Sequence, residues 1–75
     1  MKVVETEKLS LVVPCYNEEQ TIPLFFDAVE KIRPTLANIS VEYIFVNDGS
    51  KDQTLTVLRE MALRYPDIIR YLSFS

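Results

Sequence analysis

Histidine is absent from the chain and cysteine occurs once, so the usual Cys/His zinc patterns lack their ligands and no internal disulfide can form. The lone Cys15 is expected to be a small, partly buried filler, and such sparing use of cysteine fits a reducing compartment such as the cytoplasm. Glycine is equally scarce. With Gly49 alone there is neither a P-loop nor the Gly-rich turn that lets a dinucleotide's pyrophosphate approach a helix N-terminus. The first polar turn is instead Pro14-Cys15-Tyr16-Asn17. Runs of one charge sign are also missing. The 8 basic and 11 acidic side chains are spread along the whole length, for a net charge of −3, and leave no basic stretch for nucleic acid or an anionic bilayer. The apolar stretch nearest the N-terminus, Leu9 to Val13, is interrupted by Ser10 and falls far below the ~20 residues of a spanning helix. Met1 to Lys8 is too acidic for a signal peptide.

What is present suits one small globular domain. Apolar residues make up 48% and charged residues 25% of the 75, the balance of a chain that folds around a core. A chain this short buries only about 60% of the surface its unfolded form exposes, so its stability margin is thin. Leu9 to Val13 reads as a buried strand stopped by Pro14. From Thr21 to Leu36, Ile22, Phe25, Phe26, Val29, Ile32 and Leu36 recur at steps of three and four, which predicts an amphipathic helix that Pro34 ends near Arg33. Asn17 with Gln20, or Thr21 with Pro23 in the first turn, would start it. Ala37 to Ser40 is then a loop, and Val41 to Val46 a second strand suited to burial on both faces. After Asn47-Asp-Gly-Ser50, the residues Leu55, Leu58, Met61, Ala62 and Tyr65 carry helical spacing, with Ser50 and Gln53 as a capping box and Pro66 as the stop. Ile68 to Phe74 reads as a third strand.

A β-α-β-α-β order implies a parallel sheet of strand order 3-2-1, half of a Rossmann-like α/β domain. Both crossover helices then cover one face and leave the other bare. Because parallel sheets are normally covered on both sides, residues 1–75 are expected to be a fragment that self-associates through the bare face, which light scattering would detect.

Ligands of open α/β sheets bind outside the carboxyl ends of the strands, where Pro14 to Glu19 and Asn47 to Ser50 leave the sheet. Together these turns can enclose one base and ribose. Tyr16 offers an aromatic face, Asp48 a carboxylate able to accept from a ring N–H such as uracil's, and Glu18 or Glu19 an acceptor for ribose hydroxyls. Gly49 permits a positive φ or a close backbone approach. Each residue also has a plainer reading. Tyr16 can cap the sheet edge, Asp48 can hold its own turn, and Glu18 and Glu19 favour a helix dipole. Asn17 and Ser50 read as helix caps, and Asp52 as a first-turn helix residue.

Leu11-Val-Val-Pro-Cys-Tyr-Asn-Glu-Glu19, followed about thirty residues later by Tyr43-Ile-Phe-Val-Asn-Asp-Gly-Ser-Lys-Asp-Gln-Thr54, resembles the start of family 2 glycosyltransferases of GT-A fold. Within that family it looks most like the polyprenyl-phosphate sugar transferases, and the resemblance runs from about Lys8 to Ser75. It implies transfer of a hexose from a nucleotide-diphosphate sugar to an acceptor such as a polyprenyl phosphate; a carboxylate opposite an imide N–H favours UDP, while guanine also offers a ring N–H. By matching position, Pro14, Tyr16 and Glu18 would line the base and ribose and Asp48 would hydrogen-bond the base. Asn17, Gly49, Ser50 and Asp52 would shape the turns.

The Mg²⁺ or Mn²⁺ that the family uses is normally held by an Asp-x-Asp motif after a later strand. Asp27, Asp48, Asp52 and Asp67 are the only aspartates here and no two are one residue apart, so neither metal ligands nor a catalytic base are expected in this chain. The resemblance also implies a cytoplasmic location, with later helices anchoring a longer protein to the membrane's cytoplasmic face. The competing expectation is a noncatalytic α/β assembly or binding module.

Overall fold

The computed structural model describes residues 7–36 and 38–74. Along the chain run β1 (Glu7–Cys15), α1 (Thr21–Ile32), β2 (Ile39–Asp48), α2 (Thr54–Arg64) and β3 (Ile69–Phe74), with a 3₁₀ turn at Arg33–Thr35 continuing from α1. All pairings are parallel and β2 lies between the other two strands, which is the expected 3-2-1 order of a Rossmann-like half.

Register divides the sheet into two unlike faces. Leu11, Tyr43 and Ile69 align across the strands, as do Val13, Phe45 and Tyr71, and then Cys15, Asn47 and Ser73. Both helices pack on this side: Ile22 and Phe26 from α1 and Leu58 from α2 are buried with Val41, Tyr43, Phe45 and Ile69. Burying a ring or branched side chain of this kind contributes about 1.5–3 kcal/mol, so these few residues carry much of the fold. The Phe26 ring lies 5.0 Å from Tyr43 and 4.9 Å from Tyr65, and Phe25 stands edge-on to Tyr43 and Phe45 at 6.3 and 6.4 Å. These tilted and edge-on arrangements are those that ring quadrupoles favour. At the rim of this core the Tyr43 hydroxyl donates to Glu30 Oε2 at 2.9 Å, and the same oxygen accepts from Arg33 Nε at 2.9 Å.

On the opposite face Val12 aligns with Ile44 and Arg70, Pro14 with Val46 and Leu72, and Asp48 with Phe74. No described element covers these residues, and Val12, Leu72 and Phe74 remain 63%, 55% and 56% exposed. As expected of a sheet with both helices on one face, β2 is fully buried on that side only, with Glu42, Ile44 and Val46 half-buried on the other, although its apolar sequence suits burial on both.

Several boundaries also move. The first strand runs through Pro14 to Cys15, because β1 is an outer strand of the described sheet, where a missing N–H is tolerated. Ile39 and Ser40 belong to β2 rather than to a loop; Ala37 lies outside the described residues. α1 ends at Ile32 because Pro34 allows only a 3₁₀ turn beyond it. Neither expected capping box forms, as the residues preceding the helices, Gln20 and Gln53, make no side-chain cap bond. Among the described residues no helix is long and apolar enough to cross a membrane.

Candidate functional site

The two polar turns leave the same edge of the sheet. Cys15 and Asn47 are register partners in a parallel pair, so Tyr16 and Asp48, each one residue further on, emerge side by side at the carboxyl ends of β1 and β2. Tyr16 is 55% exposed and Asp48 is also exposed; among the described residues neither side chain makes a hydrogen bond. An unencumbered ring and carboxylate thus stand at one rim. Pro14, one step earlier, is exposed on the uncovered face beside Val46. Glu18 and Glu19 are half-buried. Among the described residues these groups enclose no pocket.

What joins the turns is a set of bonds that sequence reasoning did not find. Three consecutive N–H groups of the first turn are each given to a side chain of the second. Asn17 N–H donates to Ser50 Oγ at 2.9 Å, Glu18 N–H to Thr54 Oγ1 at 2.8 Å and Glu19 N–H to Asp52 Oδ2 at 3.3 Å. In return Lys51 N–H donates to Asn17 Oδ1 at 2.8 Å. Asn17 sits in the left-handed region at φ +52°, which asparagine tolerates better than most residues. Asn17 and Ser50, expected as helix caps, therefore pin the loops to each other. The physical reason is that the loops leave adjacent strands and lie within reach of one another, a tertiary partner that outcompetes local capping.

Thr54 is completely buried and central to the set. Its hydroxyl accepts from Glu18 N–H and donates to Asp52 Oδ1, which also accepts from Thr54 N–H at 2.9 Å. Desolvation works to raise the pKa of Asp52, but bonds from the Thr54 hydroxyl, Thr54 N–H and Glu19 N–H outweigh it and hold the carboxyl below its ordinary range. Behind the loops Asn47, buried at the end of β2, donates from Nδ2 to Ser73 Oγ at 3.1 Å and accepts from Ser50 N–H at 3.3 Å. Its signal was in the sequence: Asn47 continues the inward series Val41, Tyr43, Phe45, where a polar residue needs a partner. Gly49 uses its freedom for a positive φ of +67°, since a Cβ there would meet only Phe74 O at 3.7 Å.

Cys15 is buried under the first turn, with Sγ 3.4 Å from the Val13 carbonyl. Burial, assisted by the Glu18 charge, pushes its pKa up to about 11, so the thiol stays protonated and unreactive near neutrality. As for a cation, no three Asp, Glu or Cys side chains converge among the described residues, and both Asp52 oxygens are already taken by donors. These residues do not fit a divalent-metal site.

The sequence signature of glycosyl transferase family 2 matches residues 10–75. The chain is 43% identical over 68 residues to a prophage bactoprenol glucosyl transferase homolog from Escherichia coli (strain K12), covering 91% of this chain and 22% of that protein. A bactoprenol glucosyl transferase of Shigella phage SfX matches with the same identity and coverage. Human dolichyl-phosphate beta-glucosyltransferase is 41% identical over 64 residues, covering 80% of this chain and 20% of the human protein. The chain therefore spans about a fifth of the length of these curated relatives. No solved structure was found to match it. Paired turns at one rim of a parallel sheet, on residues that the family signature covers almost from end to end, place this chain in glycosyl transferase family 2.

Proposed function

We propose that the chain is the nucleotide-binding part of a glycosyltransferase that moves a hexose from a nucleotide-diphosphate sugar, UDP-sugar in the first instance, to a polyprenyl phosphate. The observation that carries this reading is the pair of free side chains at one rim, Tyr16 and Asp48, fixed in relation to each other by the Cys15–Asn47 register. In this reading Tyr16 stacks on the base, Asp48 accepts from its ring N–H, and Pro14 and Glu18 line base and ribose. A carboxylate opposite an imide N–H favours uracil. The lipid acceptor is proposed from the relatives' names, which specify bactoprenol and dolichyl phosphate.

Divalent metal use is compatible with the family; a Mg²⁺ or Mn²⁺ would neutralise the donor's diphosphate, held by ligands other than the residues described above. Association with the cytoplasmic face of a membrane and self-association through the uncovered sheet face belong to the same proposal. The test is a ¹⁵N NMR titration of the chain with UDP. Shifts are expected at Tyr16, Glu18 and Asp48, and Asp48→Ala should weaken binding roughly tenfold, the equivalent of one good polar contact. Binding that Asp48→Ala leaves untouched, or none at all, would refute the site.

A further inference from the structure

We infer that Thr54 is a positioning residue for the first turn, holding it in the conformation that presents Tyr16 and Glu18 to a nucleotide; this rests on the nucleotide-binding reading above. Of the three N–H groups that the first turn gives away, the middle one, on Glu18, goes to Thr54 Oγ1 at 2.8 Å. That oxygen belongs to a fully buried side chain on the first residue of α2, the most deeply buried of the three acceptors. Its hydroxyl passes its own proton toward Asp52 Oδ1, while Asp52 Oδ2 takes the Glu19 N–H. The carboxylate therefore ends a short relay in which each bond polarises the next. On the other side of Glu18, Asn17 occupies a left-handed conformation held by Ser50 and Lys51.

Without the Thr54 hydroxyl the outer bonds remain and the middle of the turn is released. A nucleotide must then select the ordered turn from an ensemble, and the apparent Kd rises in proportion to the competent fraction that is lost. A residue that only stabilised the fold would lower the melting temperature and leave affinity unchanged wherever the chain is folded. That difference separates positioning from stability.

The experiment compares Thr54→Val, Thr54→Ser, Asp52→Asn and Val29→Ala in the whole 75-residue chain. Val29 is half-buried on α1 and serves as a core control. Melting temperature, amide exchange at Asn17, Glu18 and Glu19, and UDP affinity by NMR are read at a temperature where every variant is folded. Thr54→Val is expected to raise the apparent Kd roughly tenfold, if about a tenth of the turn population stays competent, and to lose protection at Glu18 and Glu19. Thr54→Ser should restore both, Asp52→Asn should move both in the same direction as Thr54→Val, and Val29→Ala should lower the melting temperature alone.

Unchanged affinity and protection in Thr54→Val would overturn the inference, as would Val29→Ala weakening UDP binding as much as Thr54→Val. If Thr54→Val does not fold, Thr54→Ala, which removes the same hydroxyl, carries the same comparison. A wild-type chain that does not respond to UDP would remove the nucleotide reading, and with it the role assigned to Thr54, while the exchange data would still report whether the hydroxyl orders the turn.

Discussion

Replacing Tyr43 by phenylalanine isolates one buried polar contact, because the ring that packs at 5.0 Å from Phe26 and 5.8 Å from Phe45 is kept and only the hydroxyl is lost. That hydroxyl donates to Glu30 Oε2 at 2.9 Å. A hydrogen bond to a charged acceptor contributes about 1.5–3 kcal/mol. Glu30 is half-buried and keeps Arg33 at 2.9 Å, so the carboxylate recovers part of its solvation and the net cost should be nearer 1 kcal/mol. A domain of this size shifts by about 4–8 °C per kcal/mol, well within reach of a thermal melt followed by circular dichroism.

The alkaline limb gives an independent reading of the same variant. Burial and the Glu30 partner raise the Tyr43 pKa above its ordinary value of 10.0, so the folded state holds the phenol proton more tightly than the unfolded state. The stability linked to this proton is complete below pH 10 and is lost as pH rises from there through the folded-state value. Tyr43→Phe should flatten that limb. A melt unchanged at neutral pH, a loss above about 3 kcal/mol, or superimposable alkaline limbs would contradict the reasoning, since each departs from removal of a single satisfied hydroxyl.

Two further outcomes follow from the loops. Gly49→Ala should cost about 1 kcal/mol in a denaturant titration, and Gly49→Asn less, because the penalty arises from a left-handed backbone rather than from a clash. Equal losses for the two would point to packing instead. Asp52→Asn should flatten the acid limb of the stability profile: the Asp52 pKa is depressed below its ordinary 3.8, so the linked stability is present above that value and lost as pH falls through the folded-state pKa. Parallel acid limbs in variant and wild type would show that the carboxylate gains nothing from its donors.

How far the sequence could be read depended on which interactions were local. Helical spacing from Ile22 to Val29 and from Leu55 to Ala62 marked both helices, and the proline positions bounded them, because those signals act within one or two turns of chain. The rim was legible for the same reason, as each turn directly follows its strand. The loop-to-loop bonds were not. Asn17 and Ser50 carry the right chemistry for helix caps, and nothing in either segment alone shows that a partner 33 residues away will claim it. Thr54 lies 36 residues from Glu18, and nothing around it in the sequence marks it as the acceptor for that N–H. Pro14 misled in the opposite sense, since its effect on a ladder depends on whether the strand has a neighbour on that side.

The reciprocal bonding between the two loops has a bearing on engineering. A graft that transplants residues 15–19 from another family member, intended to alter base preference, keeps backbone N–H groups opposite the acceptors at positions 50, 52 and 54 but can lose the Asn17 side-chain carbonyl that accepts from Lys51 N–H. Swapped as a matched set, the same segments bring their own geometry with them, so recombination libraries should treat them as a single cassette.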